Sequence, residues 1–144
     1  MSSGKKFEEL AEMISRFRGP NGCAWKKQLN LHNLPPFSKA EFQELMQAVE
    51  KEDWENLREE LGDVLFHILL YCEIAKEQKK FTIDDVLEEI VEKMKRRNPH
   101  VYGNVKCTDP KEIAEMWEEI KKQEKKERQE KKEKLEKINR KNKW

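Results

Sequence analysis

The chain has 144 residues, 41% of them charged, with 30 Lys and Arg set against 29 Asp and Glu. That length fits one domain with an appendage, and an apolar content of 36% implies a thin core or one completed by a second copy. Five Gly and five Pro are too few for a sandwich or barrel, and Cys23, Cys72 and Cys107 are too scattered for a disulfide framework or a Cys-x-x-Cys metal site. The longest apolar run, Val64 to Cys72, is too short to span a bilayer, so no membrane partner is expected. The opening residues lack the apolar stretch of a secretion signal, and a cytoplasmic location is expected.

Phe7, Leu10, Ile14 and Phe17 recur at helical spacing, and Gly19-Pro20-Asn21-Gly22 ends this first helix. A loop carrying Cys23, Trp25 and Leu31 leads to Pro35-Pro36. A second helix runs from about Phe37 to Lys51, with Phe42, Leu45 and Val49 along one stripe. The third spans about Trp54 to Gln78, and its centre, Leu61 to Cys72, is apolar nearly all round, the pattern of a helix buried on several sides. Thr82 and Asp85 form a capping box that opens a fourth helix, with Ile83, Val86, Ile90 and Met94 inward and Pro99 as its stop. Asp109-Pro110 caps a fifth helix carrying Ile113, Met116, Trp117 and Ile120. No segment alternates at period two. The fold class is all-α, a helical bundle completed by oligomerisation.

The near-neutral charge conceals an asymmetry. Residues 118–144 carry 12 Lys and Arg against 7 Asp and Glu, leaving the remainder acidic. The domain is therefore expected over 1–122, followed by a charged, helical, fraying tail over 123–144. With Leu135, Ile138 and Trp144 as its only apolar residues, that tail lacks a coiled-coil seam; a solvated helix is favoured over a nucleic-acid arm, and truncation after Gln123 is expected to spare the chemistry.

Four carboxylates lie where apolar residues should. Glu41 and Glu44 are three apart and share a helix side with Leu45 and Ala48; Glu60 and Asp63 repeat the spacing beside Leu57, Val64 and Tyr71. Burying several carboxylates requires positive charge, yet the third helix has no Lys or Arg between Arg58 and Lys76. A divalent metal would supply it, and all-oxygen ligands favour Mg²⁺, with Mn²⁺ as a substitute, over zinc. A carboxylate-bridged di-iron site would need Glu-x-x-His pairs, which are absent. A second reading stays open for Glu41, because Ser38-Lys-Ala-Glu41 also fits a capping box. His67, four residues after Asp63, reads as a hydrogen-bonded packing residue rather than a ligand.

Taken in order, six segments resemble the MazG-type nucleoside triphosphate pyrophosphohydrolases of the all-α NTP-pyrophosphatase group, over about Leu10 to Lys122. They are Gly22-Cys-Ala-Trp25, Glu41-Phe-Gln-Glu44, Arg58-Glu-Glu-Leu-Gly-Asp63, Phe81-Thr-Ile-Asp-Asp-Val86, Lys93 to Gly103, and Trp117-Glu-Glu-Ile-Lys121. The resemblance implies Mg²⁺-dependent hydrolysis of an NTP or dNTP between the α and β phosphates, giving the monophosphate and pyrophosphate. It implies catalytic metal ligands at Glu41, Glu44, Glu60 and Asp63, and a homodimer or tetramer. It also makes Lys93, Arg96 and Arg97 phosphate-binding residues, and gives Trp117, Lys121 and Trp25 nucleotide contacts; for the two tryptophans simple packing is the other reading. Three positions depart from the family pattern. Ala40 replaces the first Glu of EExxE, Lys26 the Asp of GCPWD, and Asn98 the usual His before Pro99. The alternative function is a catalytically degenerate helical interaction module that uses its basic tail to bind acidic partners or nucleic acid.

Overall fold

The computed structural model describes residues 1–143; Trp144, the last residue of the tail, lies outside them. Every regular element among the described residues is a helix: α1 (Ser3–Arg18), α2 (Ala24–Lys27), α3 (Pro35–Glu50), α4 (Trp54–Glu77), α5 (Ile83–Arg97), α6 (Pro99–Tyr102) and α7 (Pro110–Lys141). The protein is all-α, and none of these helices is long and apolar enough to cross a membrane. The chain forms two compact units, Met1–Val86 and Leu87 onward.

The helix boundaries follow from local chemistry. Ser2 caps α1 by accepting from Lys5 N, Asp53 caps α4 through Asn56 N, and Asp109 caps α7 through Lys111 N ahead of Pro110. Asp85 accepts from both the backbone N–H and the hydroxyl of Thr82, which makes the Asp85 half of the expected box at the start of α5. Two short helices, α2 and α6, fall in segments expected to be loops. The α3 helix begins at Pro35, two residues earlier than expected, because prolines are accommodated in the first turn where the N–H is unpaired anyway. Ser38 is consequently inside the helix and not a cap.

In the first unit α1, α3 and α4 pack around Ile14, Leu29, Leu34, Leu69, Leu70 and Ile74, with Phe7, Leu10, Phe66, Tyr71 and Ile83 at the margin. Leu29 and Leu34, in the segment between α2 and α3, are both buried, and α2 packs that segment against α1. The buried face of α3 is Leu45 and Ala48, whereas Phe42 and Val49 from the expected stripe are about half exposed. Likewise α4 is not covered on all sides within one chain. Leu61, Leu65 and Ile68 remain exposed although α1 and α3 both pack on this helix. In the second unit no residue of α7 is fully buried, and Ile90 of α5 is exposed although an inward position was expected. The α7 helix passes through residue 122 without a break, and from Lys125 to Lys143 every residue is exposed.

Candidate functional site

On α3 the buried positions Leu45 and Ala48 are one and two turns beyond Glu41, so the same periodicity that buries the helix directs Glu41 toward α4. On α4 Glu60 lies one side of the core helix, in register with Asp63 and His67. One oxygen each from Glu41, Glu60 and Asp63 falls within 4.8 Å of the others. Glu60 is only 8% exposed, Glu41 is half-buried and Asp63 is exposed. Glu41 Oε2 and Glu60 Oε2 are both buried without a hydrogen-bond partner, and no Lys or Arg among the described residues forms an ion pair with any of the three.

This electrostatic arrangement is unfavourable by itself. Burial pushes the Glu41 carboxyl up, followed by the charges of Asp63 and Glu44. Burial likewise raises Glu60, with Glu44, Asp63 and Glu41 adding to the effect. Orphaned acceptor oxygens aimed at one point are what a hard divalent cation requires, so the residues present fit such an ion. Glu44 does not converge with the other three. It is exposed, one turn beyond Glu41, and acts on both Glu41 and Glu60 through its charge. Ala40 is exposed and offers no donor.

Ser38 explains the setting of His67. Its Oγ lies 2.8 Å from His67 Nδ1 and 2.9 Å from Tyr71 OH, and 3.4 Å from the Leu34 carbonyl. The capping role expected from its spacing is thus replaced by a bridge between α3 and α4, and His67 is hydrogen-bonded as expected. Beside the acids a cavity of about 250 Å³ is lined by Trp25, Leu34, Phe37, Glu41, Asp63 and His67, among others. Trp25 and Phe37 meet edge to face, with centroids 5.8 Å apart. Lys26 lies over the rings of Phe17 and Trp25, at 4.9 and 5.7 Å, which gives this departure from the family pattern a packing role.

The turn that carries Trp25 is held by a residue the sequence did not single out. Arg18 Nη1 donates to the carbonyls of Lys26 and Leu29 at 2.6 and 2.8 Å, while Nε and Nη2 form a bidentate pair with Glu77, each at 2.8 Å. Gly22 precedes this turn because a Cβ there would lie 2.2 Å from the Phe17 carbonyl oxygen. Arg18→Ala is expected to cost about 2–3 kcal/mol, since it removes charge-assisted bonds from a nearly buried guanidinium, leaves the Leu29 carbonyl unpaired and leaves that of Lys26 with only the bond from Leu29 N. Urea melts of the variant check this; a loss below about 0.5 kcal/mol would assign the clamp no energetic role.

The remaining candidates are in the second unit. The Arg97 guanidinium lies 5.2 Å from the Trp117 ring centroid, and both Arg96 and Arg97 pair with Glu124. Trp117 is half-buried and so serves as a packing surface for a cation. Lys93 is half-buried and Lys121 exposed, and neither forms an ion pair among the described residues. Sequence reading missed Glu124, although its place seven residues after Trp117 puts both on one face of α7. It also missed Ser38, Tyr71 and Arg18 as site-shaping residues, because their partners are 8 to 59 positions away.

Comparison with known proteins agrees with the four central segments of the six. The MazG nucleotide pyrophosphohydrolase domain matches residues 30–102. The chain is 43% identical to an uncharacterised protein, YabN, of Bacillus subtilis, over 83% of this chain and 24% of that one. It is 38% identical to the nucleoside triphosphate pyrophosphohydrolase/pyrophosphatase MazG of Thermotoga maritima, over 85% of this chain and 46% of the relative. A nucleoside triphosphate pyrophosphohydrolase of Escherichia coli K12 is 34% identical, over 83% and 46%. The chain thus spans between about a quarter and a half of these relatives. The crystal structure of a mazG-related protein from Thermotoga maritima superposes with a TM-score of 0.66 at 30% identity, covering 80% of this chain and 98% of that one. Motif order, matched region and shared all-α architecture together place this chain in the MazG nucleotide pyrophosphohydrolase domain family.

Proposed function

We propose that this chain hydrolyses nucleoside triphosphates at the bond between the α and β phosphates. Water adds to the α phosphorus, the bond to the bridging oxygen breaks, and pyrophosphate leaves with the nucleoside monophosphate as the second product. The observation that carries this reading is the convergence of Glu41, Glu60 and Asp63, with two buried oxygens unpartnered and no Lys or Arg among the described residues paired to them. The names of the relatives from Thermotoga maritima and Escherichia coli support the same reaction class. Glu41, Glu60 and Asp63 would hold Mg²⁺, or Mn²⁺ in its place, with Glu44 beside them. When bound, such an ion supplies Lewis acidity toward phosphate oxygens and water.

The chain's own residues do the rest. Glu44, exposed at the rim of the cluster, orients the attacking water and accepts its proton. Lys93, Arg96 and Arg97 neutralise the phosphates of the leaving group, with Trp117 and Lys121 on the adjoining helix as nucleotide contacts. Trp25 and Phe37 form an apolar wall beside the acids, suited to the nucleoside. The exposed stripe of Leu61, Leu65 and Ile68, beside Phe42, Met46 and Val49, is assigned to a second copy, making the protein a homodimer or tetramer. The acid cluster that carries the chemistry lies within the domain assigned to 1–122.

Pyrophosphate release from a panel of NTPs and dNTPs, with Mg²⁺ and with EDTA, tests the reaction. Equimolar pyrophosphate and monophosphate are expected with Mg²⁺, and neither with EDTA. Orthophosphate in place of pyrophosphate would move the cleaved bond to β–γ. No product from any nucleotide would leave the non-catalytic helical module as the better account.

A further inference from the structure

Arg97 is restrained from two directions in the second unit. Its guanidinium lies over the Trp117 ring, and Nε and Nη2 donate to Glu124 Oε2 at 3.0 and 2.7 Å. The other oxygen of the same carboxylate accepts from Arg96 Nε. The Glu124 and Arg97 side chains are 12% and 13% exposed, whereas Arg96 reaches out at 52%. Hydrogen bonds from Arg97, aided by those from Arg96, hold the Glu124 carboxyl below its usual range, so it stays ionised. Glu124 is also the last residue of α7 that is not exposed.

A guanidinium has five N–H donors in a fixed plane. Glu124 takes two along one edge of Arg97 and Trp117 packs beneath the group, while Nη1 has no hydrogen-bond partner among the described residues. Two arginines share one carboxylate, so the group retains a net positive charge. A long side chain held this way loses little freedom on meeting an anion, and the planar fork matches phosphate oxygens in pairs. We propose that Glu124 is a positioning residue that presents Arg97 to the substrate phosphates, so the nucleotide site extends past residue 122 into the first turn of the tail. This rests on the reading of Arg97 as a phosphate contact. It also reverses the expectation that a chain ending at Gln123 keeps its full chemistry.

The opposite role would be a carboxylate that masks Arg97 from phosphate, and it predicts the opposite sign. The test uses the full chain with Mg²⁺, measuring KM and kcat for the best nucleotide of the panel and inhibition by inorganic pyrophosphate. Glu124→Ala, and Glu124→Gln as the variant that retains packing volume, should each raise KM and the pyrophosphate inhibition constant about fivefold or more, with kcat changed less than about twofold. Arg97→Ala should raise both constants as well, and adding Glu124→Ala to it should have no further effect. A chain ending at Gln123 should behave like Glu124→Ala, and one ending at Glu130 like the intact protein. An Arg97→Ala effect with unchanged or lowered constants in both Glu124 variants overturns the positioning role alone. Unchanged constants in Arg97→Ala overturn the phosphate-contact reading and the positioning role with it.

Discussion

Glu60→Gln and Asp63→Ala are each expected to lower pyrophosphate release by about 10²-fold or more, because each removes a donor that several kcal/mol of transition-state stabilisation depends on. The stability readout should move differently. Burial raises the folded-state pKa of Glu60 and Glu41, so between the ordinary carboxylate value and the raised one the native chain binds more protons than the unfolded chain. Stability of the metal-free protein therefore falls as pH rises through that window, and is greater on its acidic side. A divalent cation that binds only the folded chain offsets this at neutral pH and raises Tm. Glu60→Gln keeps the side-chain volume and removes the unpaired charge. Its metal-free Tm near pH 8 should equal or exceed that of the parent, while the Mg²⁺-dependent rise is lost. Thermal melts with EDTA and with Mg²⁺ separate these contributions. An undiminished Mg²⁺ response together with full turnover in both variants would remove the acid cluster from the site.

Leu65→Glu combined with Ile68→Glu is expected to convert the proposed oligomer to monomer at micromolar concentration. Leu61, Leu65 and Ile68 recur one turn apart on α4, and all are at least 36% exposed in the single chain. Phe42, Met46 and Val49 do the same on α3, and Phe42 and Ile68 line one open groove with Val64, so the two stripes are continuous. A soluble monomer rarely leaves so large an apolar face to water. A carboxylate buried there without a partner costs about 3 kcal/mol or more, on the order of 10²-fold in dissociation constant for each interface it enters. Sedimentation of parent and variant measures this. A parent that sediments as a monomer would return the stripe to the solvent and remove the assigned partner.

Helices were legible in the sequence because their signals are local. The stripes of Phe7, Leu10 and Ile14, the Thr82–Asp85 box and the Asp109-Pro110 start each lie within a few residues, and each reappears in α1, α5 and α7. The same locality exposed the four acids, since a spacing of three defines a helix side before any partner helix is known. Which side of a helix faces inward was not local. Phe42 and Leu45 are equally apolar in the sequence, but only the packing of α3 on α4 buries Leu45 and leaves Phe42 out. Ser38 looked like a cap until the helix began at Pro35 and placed its hydroxyl between His67 and Tyr71. Arg18 with Glu77 and Arg97 with Glu124 join positions 59 and 27 apart. Side-chain hydrogen bonds leave no periodic trace over such separations, because their partners are chosen by how helices pack and not by how residues are spaced along one of them.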